Sequence, residues 1–285
     1  MKSFQTWTLP LTLWCCLSVA RAQLQLLPDT ASQCVFAGDA RKIAVVWRNV
    51  GDQAVAVELR ARLYQTSSAT TVLVNELPWK SLQMLPGQTV VESAFLDFPI
   101  VKAETRFLVQ WLDGTNKVAG ITEVFVYPTN LLEQLKPLAG ESETGLGVLD
   151  PSKQLKLLLK KLAFKFVDFE ETDLDLFSGK LAIVGPCDPG DSEGTGLGGR
   201  IGRLAKKGVA VVWIQSPPRK RARVWPSFYS VPENRASVIV VQPELIADLS
   251  GNPQSQLNLI YFCQLALHPQ PPALPDLAPQ PQVKL

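Results

Sequence analysis

The sequence predicts two folded parts: an antiparallel β-sandwich followed by an open, mostly parallel α/β sheet. Within residues 30–128, apolar or β-branched residues alternate with polar residues in short segments, and no segment of helical period lies between these. Within residues 146–268, wholly apolar segments alternate with segments of helical period. We therefore assign residues 30–128 to the sandwich, 129–145 to a linker and 146–268 to the α/β domain.

The first 22 residues predict a cleavable secretory signal peptide. Lys2 supplies a positive start, residues 9–20 are mostly apolar, and Ala20-Arg21-Ala22 has the small-x-small pattern of a cleavage site. The apolar run is about half of the ~20 residues that a membrane span requires, so we expect no membrane span. The protein is expected to be exported, to the periplasm or the extracellular space.

The formal net charge of +2 lies entirely within that signal. Lys2 and Arg21 are its only charged residues, so the mature chain carries as many basic as acidic side chains. A neutral chain has no general attraction for nucleic acid or for an anionic membrane, and we expect neither as a partner.

Five alternating segments predict the strands of the sandwich, and they are residues 42–48, 54–64, 89–95, 106–112 and 121–127. The turns between them are rich in Gly, Pro, Asn and Asp. In the second segment Glu58, Arg60 and Arg62 share one face, which we expect to be wet.

The order Trp47-Arg48-Asn49-Val50-Gly51, then Leu85-Pro86-Gly87, then Val109-Gln110-Trp111-Leu112-Asp113-Gly114 resembles immunoglobulin-like, bacterial adhesion-type modules. The resemblance covers roughly residues 30–128 and implies a fold rather than a function. The cysteine pair and the central tryptophan of antibody domains are not reproduced in this pattern.

The α/β part begins with a short apolar run, 146–149, and then an amphipathic helix, with Asp150 as the predicted N-cap and Pro151 as its first residue. The apolar face of this helix comprises Leu155, Leu158, Leu159 and Leu162. Further strands are predicted at 164–169, 181–184, 209–214 and 237–241. Further helices are predicted at 130–138, at 201–207 with Gly208 ending it, and from Asn252-Pro253 to 267. The proline-dense tail, 269–285, is predicted to be disordered.

Open α/β sheets bind ligands outside the carboxyl ends of their strands. The predicted binding rim at that edge comprises Asp168, Glu170, Cys187, Asp188, Asp191 and Gln215. Other roles stay open for its neighbours, because Asp150 suits a helix cap and residues 168–175 suit a solvated acidic face.

Complete catalytic motifs are not found. His268 is the single histidine, and it lies next to the proline-rich tail, which leaves Cys187 and the serines without an obvious base. Residues 194–199 match G-x-G-x-x-G, but they do not turn directly off a strand, so we interpret them as a flexible loop and expect no nicotinamide cofactor. No cofactor or metal site is predicted; the carboxylates suggest at most a weak calcium site.

Two stretches, Leu174 onward to Pro186 and Leu204 onward to Gln215, resemble class I glutamine amidotransferase-like domains, including the exported ThuA-like branch. In that family a strand ends at a nucleophilic cysteine. Here the equivalent turn reads Trp213-Ile214-Gln215-Ser216, without a cysteine, and the partner histidine is missing. The resemblance implies a flavodoxin-like or amidotransferase-like fold whose chemistry has been lost.

These observations favour a non-catalytic, exported binding protein with a protein or glycan partner. One alternative is a hydrolase that uses carboxylates such as Asp168, Glu170, Asp188 and Asp191 as acid and base on an extracytoplasmic substrate such as a glycan. Another is a scaffold in which the sandwich spaces the α/β domain from a larger assembly.

Overall fold

The structure is a computed structural model, and it describes residues 24–28, 33–140, 142, 144–187, 196–215, 228–233 and 236–268. The predicted signal peptide and proline-rich tail lie outside these residues. Strands dominate, in antiparallel and mixed sheets, with a few helices. Among the described residues no helix has the length and apolarity of a membrane span.

The described chain divides into two compact units. One comprises residues 24–28, 43–94 and 107–123, and the other comprises 33–42, 95–106 and 124 onward. Several long strands therefore contribute residues to both units. The domain bounds at 128 and 146 stay predictions.

Eight strands form the N-terminal sheets, and their bounds are β1 Leu24–Leu27, β2 Gln33–Phe36, β3 Gly38–Asn49, β4 Val55–Thr66, β5 Thr71–Met84, β6 Thr89–Phe98, β7 Thr105–Leu112 and β8 Val118–Tyr127. One sheet has the order β1-β3-β6 and the other β2-β8-β7-β4-β5. Strand β1 pairs antiparallel with β3, and β4 with β5, whereas β2 runs parallel to β8. The predicted wet face of β4 is confirmed, and Arg60 and Arg62 pair there with Glu76 of β5.

Tryptophan side chains lie at the centre of the first unit. The ring centroids of Trp47 and Trp111 are 6.0 Å apart, edge to face, and both residues are fully buried. Trp79 contacts Trp111 at 4.7 Å. The Trp111 indole N–H donates to Thr122 Oγ1 at 2.9 Å inside the core. Trp47, Trp79 and Trp111 therefore form the centre of this core.

A six-stranded sheet follows, with strands β9 Leu146–Leu149, β10 Val167–Asp168, β11 Leu181–Cys187, β12 Ala210–Gln215, β13 Phe228–Glu233 and β14 Ala236–Val241. Its order is β10-β9-β11-β12-β14-β13. All neighbours are parallel except β13 and β14, which pair antiparallel at one edge. An open, mostly parallel sheet was predicted from the sequence, and the structure has one.

Both faces of this sheet are covered, which explains the wholly apolar strands. Helices α1 Leu135–Ala139, α2 Gln154–Lys161 and α4 Pro253–Leu267 contribute to one core, and α3 Leu197–Lys206 contributes to the other. Alternate strand residues point to opposite cores: Ile183 belongs to the first, and Ala182 and Val184 to the second.

Three local predictions need correction. Helix α2 begins at Gln154 after Lys153, which has a left-handed backbone, and not at Pro151. Strand β10 has only two residues where residues 164–169 were predicted, because the chain is still ending helix α2 at Phe164, whose N–H donates to the carbonyl of Leu159 at 2.9 Å. Gly198 and Gly199 lie inside α3, so this part of the glycine motif is helix and not loop.

Candidate functional site

A cleft lies where four parallel strands end, at the carboxyl edge of the α/β sheet. Its volume is about 220 Å³. Asp150 follows β9, Gly185 and Pro186 lie near the end of β11, and Ile214 lies near the end of β12. The segment that follows β14 also lines the cleft, through Pro243 and Ile246. Strand β9 lies between β10 and β11. The chain therefore passes from β9 to β10 on one side and then returns past β9 to β11 on the other side, and this reversal lies beside the cleft.

Asp150 caps helix α2 from a distance. Its carboxylate Oδ2 accepts the backbone N–H of Lys156 at 3.0 Å, and Oδ1 accepts the hydroxyl of Ser152 at 2.6 Å. The Asp150 carboxylate therefore accepts a hydrogen bond from the first turn of the helix, as predicted. The residue at the N-cap position, however, is Lys153 and not Asp150. Only 1% of Asp150 is exposed, so it lies in the wall of the cleft with very little surface accessible from the cleft itself.

Asp248 brings a second carboxylate to the cleft. It lies in the turn before α4, where its Oδ1 accepts the hydroxyl of Ser250 at 3.1 Å and the N–H of Gly251 at 3.0 Å. Its backbone is left-handed, with φ of 52°. The carbonyl of Asp248 also accepts the N–H of Asn252 at 2.9 Å, which fixes the turn.

Asp168 and Glu170 of the predicted rim bind a lysine. The ammonium of Lys156, whose side chain is 6% exposed, lies 2.5 Å from Asp168 Oδ1 and 3.1 Å from Glu170 Oε1. Partial burial acts to raise the pKa of Asp168, but the hydrogen bonds from Lys156 and from the Glu170 N–H outweigh it, and that pKa lies below its ordinary value. Burial acts to lower the pKa of Lys156, and the two carboxylates raise it overall.

The acidic segment that continues to Asp175 is paired as well. Asp175 accepts two hydrogen bonds from Arg203 of α3, at 2.9 and 3.0 Å, and Asp173 pairs with Arg200. The hydrogen bond from Arg203 and its charge lower the pKa of Asp175. The side chains of Asp173 and Asp175 are 54% and 34% exposed, so this face is solvated and its carboxylates also pair with arginines.

Cys187 and Gln215 are brought together by the sheet. They are backbone register partners at the ends of β11 and β12. The side chain of Cys187 is not described, and Asp188 and Asp191 lie outside the described residues. The rim thus separates into a pair tied to Lys156 and a pair at the ends of the central strands.

The cleft also contains three residues that were not among the predicted binding residues. Ser152, Gln154 and Asp248 line it. The rule that ligands bind beyond strand carboxyl ends applies equally to β14, and applying it there would have indicated residues 242–249. Ser152 and Gln154 had no comparable signal, because residues 151–153 were predicted to be helix.

Cys34 and Cys263 form no disulfide among the described residues. Cys263 is completely buried on α4, and burial raises the pKa of its thiol. Burial, followed by the charge of Glu104, raises the pKa of the half-buried Cys34. Both shifts disfavour a thiolate. In the described part of the chain no cluster of His, Cys, Asp and Glu is arranged to hold a metal ion.

Comparisons with known proteins leave the family open. No protein-family model matches the sequence, and no curated protein matches it either. Among solved structures, the alkylpurine DNA glycosylase AlkC of Pseudomonas fluorescens, bound to DNA containing an abasic site analog, is 12% identical with a TM-score of 0.30. The match covers 38% of this chain and 31% of that one.

Two further structures are similarly distant. The sporulation control protein Spo0M of Bacillus subtilis is 13% identical with a TM-score of 0.28, over 41% of this chain and 54% of that one. The CsuC-CsuE chaperone-tip adhesion subunit pre-assembly complex of Acinetobacter baumannii is 13% identical with a TM-score of 0.26, over 38% and 57%. This chain spans less than two thirds of each matched structure, and likenesses this weak carry no functional argument.

Proposed function

We propose that this chain is an exported, non-catalytic binding protein, and that the cleft beside Asp150 is its binding site. The observation that carries the proposal is the place of the cleft, beyond the carboxyl ends of β9, β11, β12 and β14. Doubly wound sheets bind their ligands at this edge, beside the strand where the order reverses.

The strand order supports a degenerate amidotransferase-like or flavodoxin-like interpretation of the α/β part. Numbered along the chain, its parallel strands lie in the order 2-1-3-4-5, the order of flavodoxin-like sheets, with β13 added at the edge. At the end of β12 the sequence reads Gln215-Ser216, without the cysteine of that family. We propose that the cleft has been kept and the chemistry lost.

The carboxylate-dependent hydrolase remains the rival proposal. A general acid needs a pKa raised toward the working pH, whereas the pKa of Asp168 is lowered by its pairing with Lys156. That pairing favours binding over catalysis. Hydrolysis of a chromogenic glycoside by the purified protein, lost in Asp168→Asn, would overturn the non-catalytic proposal.

The binding proposal is tested with a small-fragment library and ligand-observed NMR on the secreted protein. We expect hits that disappear in Ala247→Phe, which places a ring in the cleft at an exposed position, and that persist in Ala56→Phe, an exposed control on β4. Fragments that bind both variants and the original protein equally would place the binding site elsewhere. A library without any hit would contradict the proposal.

A further inference from the structure

The chemistry of the cleft walls restricts what can occupy it. Most of the lining is apolar, with contributions from Leu155, Pro186, Ile214, Ile246 and Leu259. Its charged groups are two carboxylates, those of Asp150 and Asp248, and no lysine, arginine or histidine is found among the described lining residues.

The position that favours an anion is already filled. Gln154 and Leu155, the first residues of α2, line the cleft, so the amino end of this helix faces it. Such an end attracts negative charge and often holds a phosphate. Here the carboxylate of Asp150 binds the N–H of Lys156 at that end. An anionic ligand would therefore meet a like charge where it would otherwise find free N–H groups.

The second carboxylate, that of Asp248, lines the same cleft and adds to this effect. Asp248 is exposed, and the described residues that donate to its carboxylate, Ser250 and Gly251, are neutral, so they leave its negative charge in place. The described donors to Asp150 are likewise neutral, namely the hydroxyl of Ser152 and a backbone N–H. Two carboxylates on one small apolar cleft attract a cation and repel an anion.

We propose that the cleft takes a small, mostly apolar ligand that carries a cationic amine, and that it excludes anions of the same size. This inference rests on the proposed binding function and names the ligand class for that same site. A volume of about 220 Å³ lies below the ~300–1,000 Å³ that is typical of ligand pockets, so the ligand is expected to be small. That space suits one ring with a short aminoalkyl chain.

Three matched probes test the proposal: 2-phenylethylamine, 2-phenylethanol and phenylacetate, which share a ring and differ in charge. Calorimetric titration or ligand-observed NMR on the secreted full chain gives their affinities. We expect the amine to bind about tenfold more tightly than phenylacetate, with the alcohol between them. Raising the salt concentration should reduce the preference, because Asp248 is exposed and its charge is screened.

Two variants identify the carboxylates. Asp248→Asn should weaken amine binding several-fold and leave binding of the alcohol unchanged, whereas Asp52→Asn, an exposed control in a turn of the other unit, should change neither. Asp150→Asn should have the larger effect. If its circular dichroism shows that it does not fold, Asp248→Asn alone decides the result.

The outcomes separate the two proposals. Equal or tighter binding of phenylacetate, or an amine affinity unchanged in Asp248→Asn, overturns the charge preference and leaves the cleft as a binding site. No binding of the amine at millimolar concentration also overturns the ligand class. The binding function itself would be overturned only if, in addition, no library fragment bound the original protein more tightly than the Ala247→Phe variant.

Discussion

Replacing Lys156 by Met should destabilise the protein by about 2–3 kcal/mol. Breaking a fully buried ion pair by removing one partner costs about 3–5 kcal/mol. Here Lys156 is buried, but the side chains of Asp168 and Glu170 are 20% and 38% exposed. The charge-assisted hydrogen bond to Asp168 should contribute about 1.5–2 kcal/mol, and solvent screening limits the contact with Glu170 to less than about 1 kcal/mol.

The assay is urea unfolding followed by far-ultraviolet circular dichroism, with Lys161→Met as the matched control. Lys161 lies on the same helix but is exposed, so its replacement should change the free energy of unfolding by less than about 0.5 kcal/mol. Methionine at 156 keeps the backbone N–H that Asp150 accepts, so the helix cap stays intact. Adding Asp168→Asn to Lys156→Met should restore part of the loss, because the carboxylate no longer lacks its partner.

The same ion pair predicts a pH window for the difference between Lys156→Met and the original protein. The pKa of Asp168 is lowered by folding, so its stabilisation is present above the unfolded pKa of about 3.9 and is lost as the pH falls through the folded value. The pKa of Lys156 is raised, so its stabilisation is present below about 10.4 and is lost as the pH rises through the folded value. The difference should be largest between these limits. A difference that is constant with pH, or a loss no larger than in Lys161→Met, would refute the reasoning.

Two further predictions concern packing. A Cβ at Gly147 would lie 2.1 Å from the Phe169 ring, so Gly147→Ala should lower the free energy of unfolding by about 1–3 kcal/mol. A Cβ at Gly202, on helix α3, would have nothing within 4 Å, so Gly202→Ala should raise the free energy of unfolding by about 0.5–1 kcal/mol. Urea unfolding of both variants should therefore show changes of opposite sign. Thr122→Val removes the acceptor of the buried Trp111 indole N–H and should cost about 1–3 kcal/mol, measured in the same way, and an unchanged stability would contradict that role for the hydrogen bond.

Part of the fold was predictable because its signal is local. Strands β11, β12 and β14 are buried on both faces, so each appears in the sequence as an apolar run. Asn252 caps α4 and accepts the N–H of Gln254 at 2.9 Å, and Gly208, with φ of 90°, follows α3 as predicted. Caps and turns depend on neighbouring residues only, so they can be predicted without the tertiary structure.

Other strands lack such a signal. The fourteen-residue strand β5 lies at a sheet edge and was not predicted; Val72 and Leu73 are largely exposed, and only its second half, with Leu82 and Met84, has a buried face. Strand β13 contains Pro232 and pairs only with β14, again at an edge. Edge strands are held by backbone pairing more than by burial, so their side chains carry little information about them.

The sequence alone determined the apolar strands, the start of α4, the end of α3 and the edge at which a site should be sought. Only the tertiary structure decided which residues share that site. It joined Asp150 to Ile214 and Asp248, far apart in the chain, and it withdrew Asp168 and Glu170 into the ion pair with Lys156. The physical reason is that a cleft is made by the spatial order of strands, whereas local sequence patterns specify each strand separately.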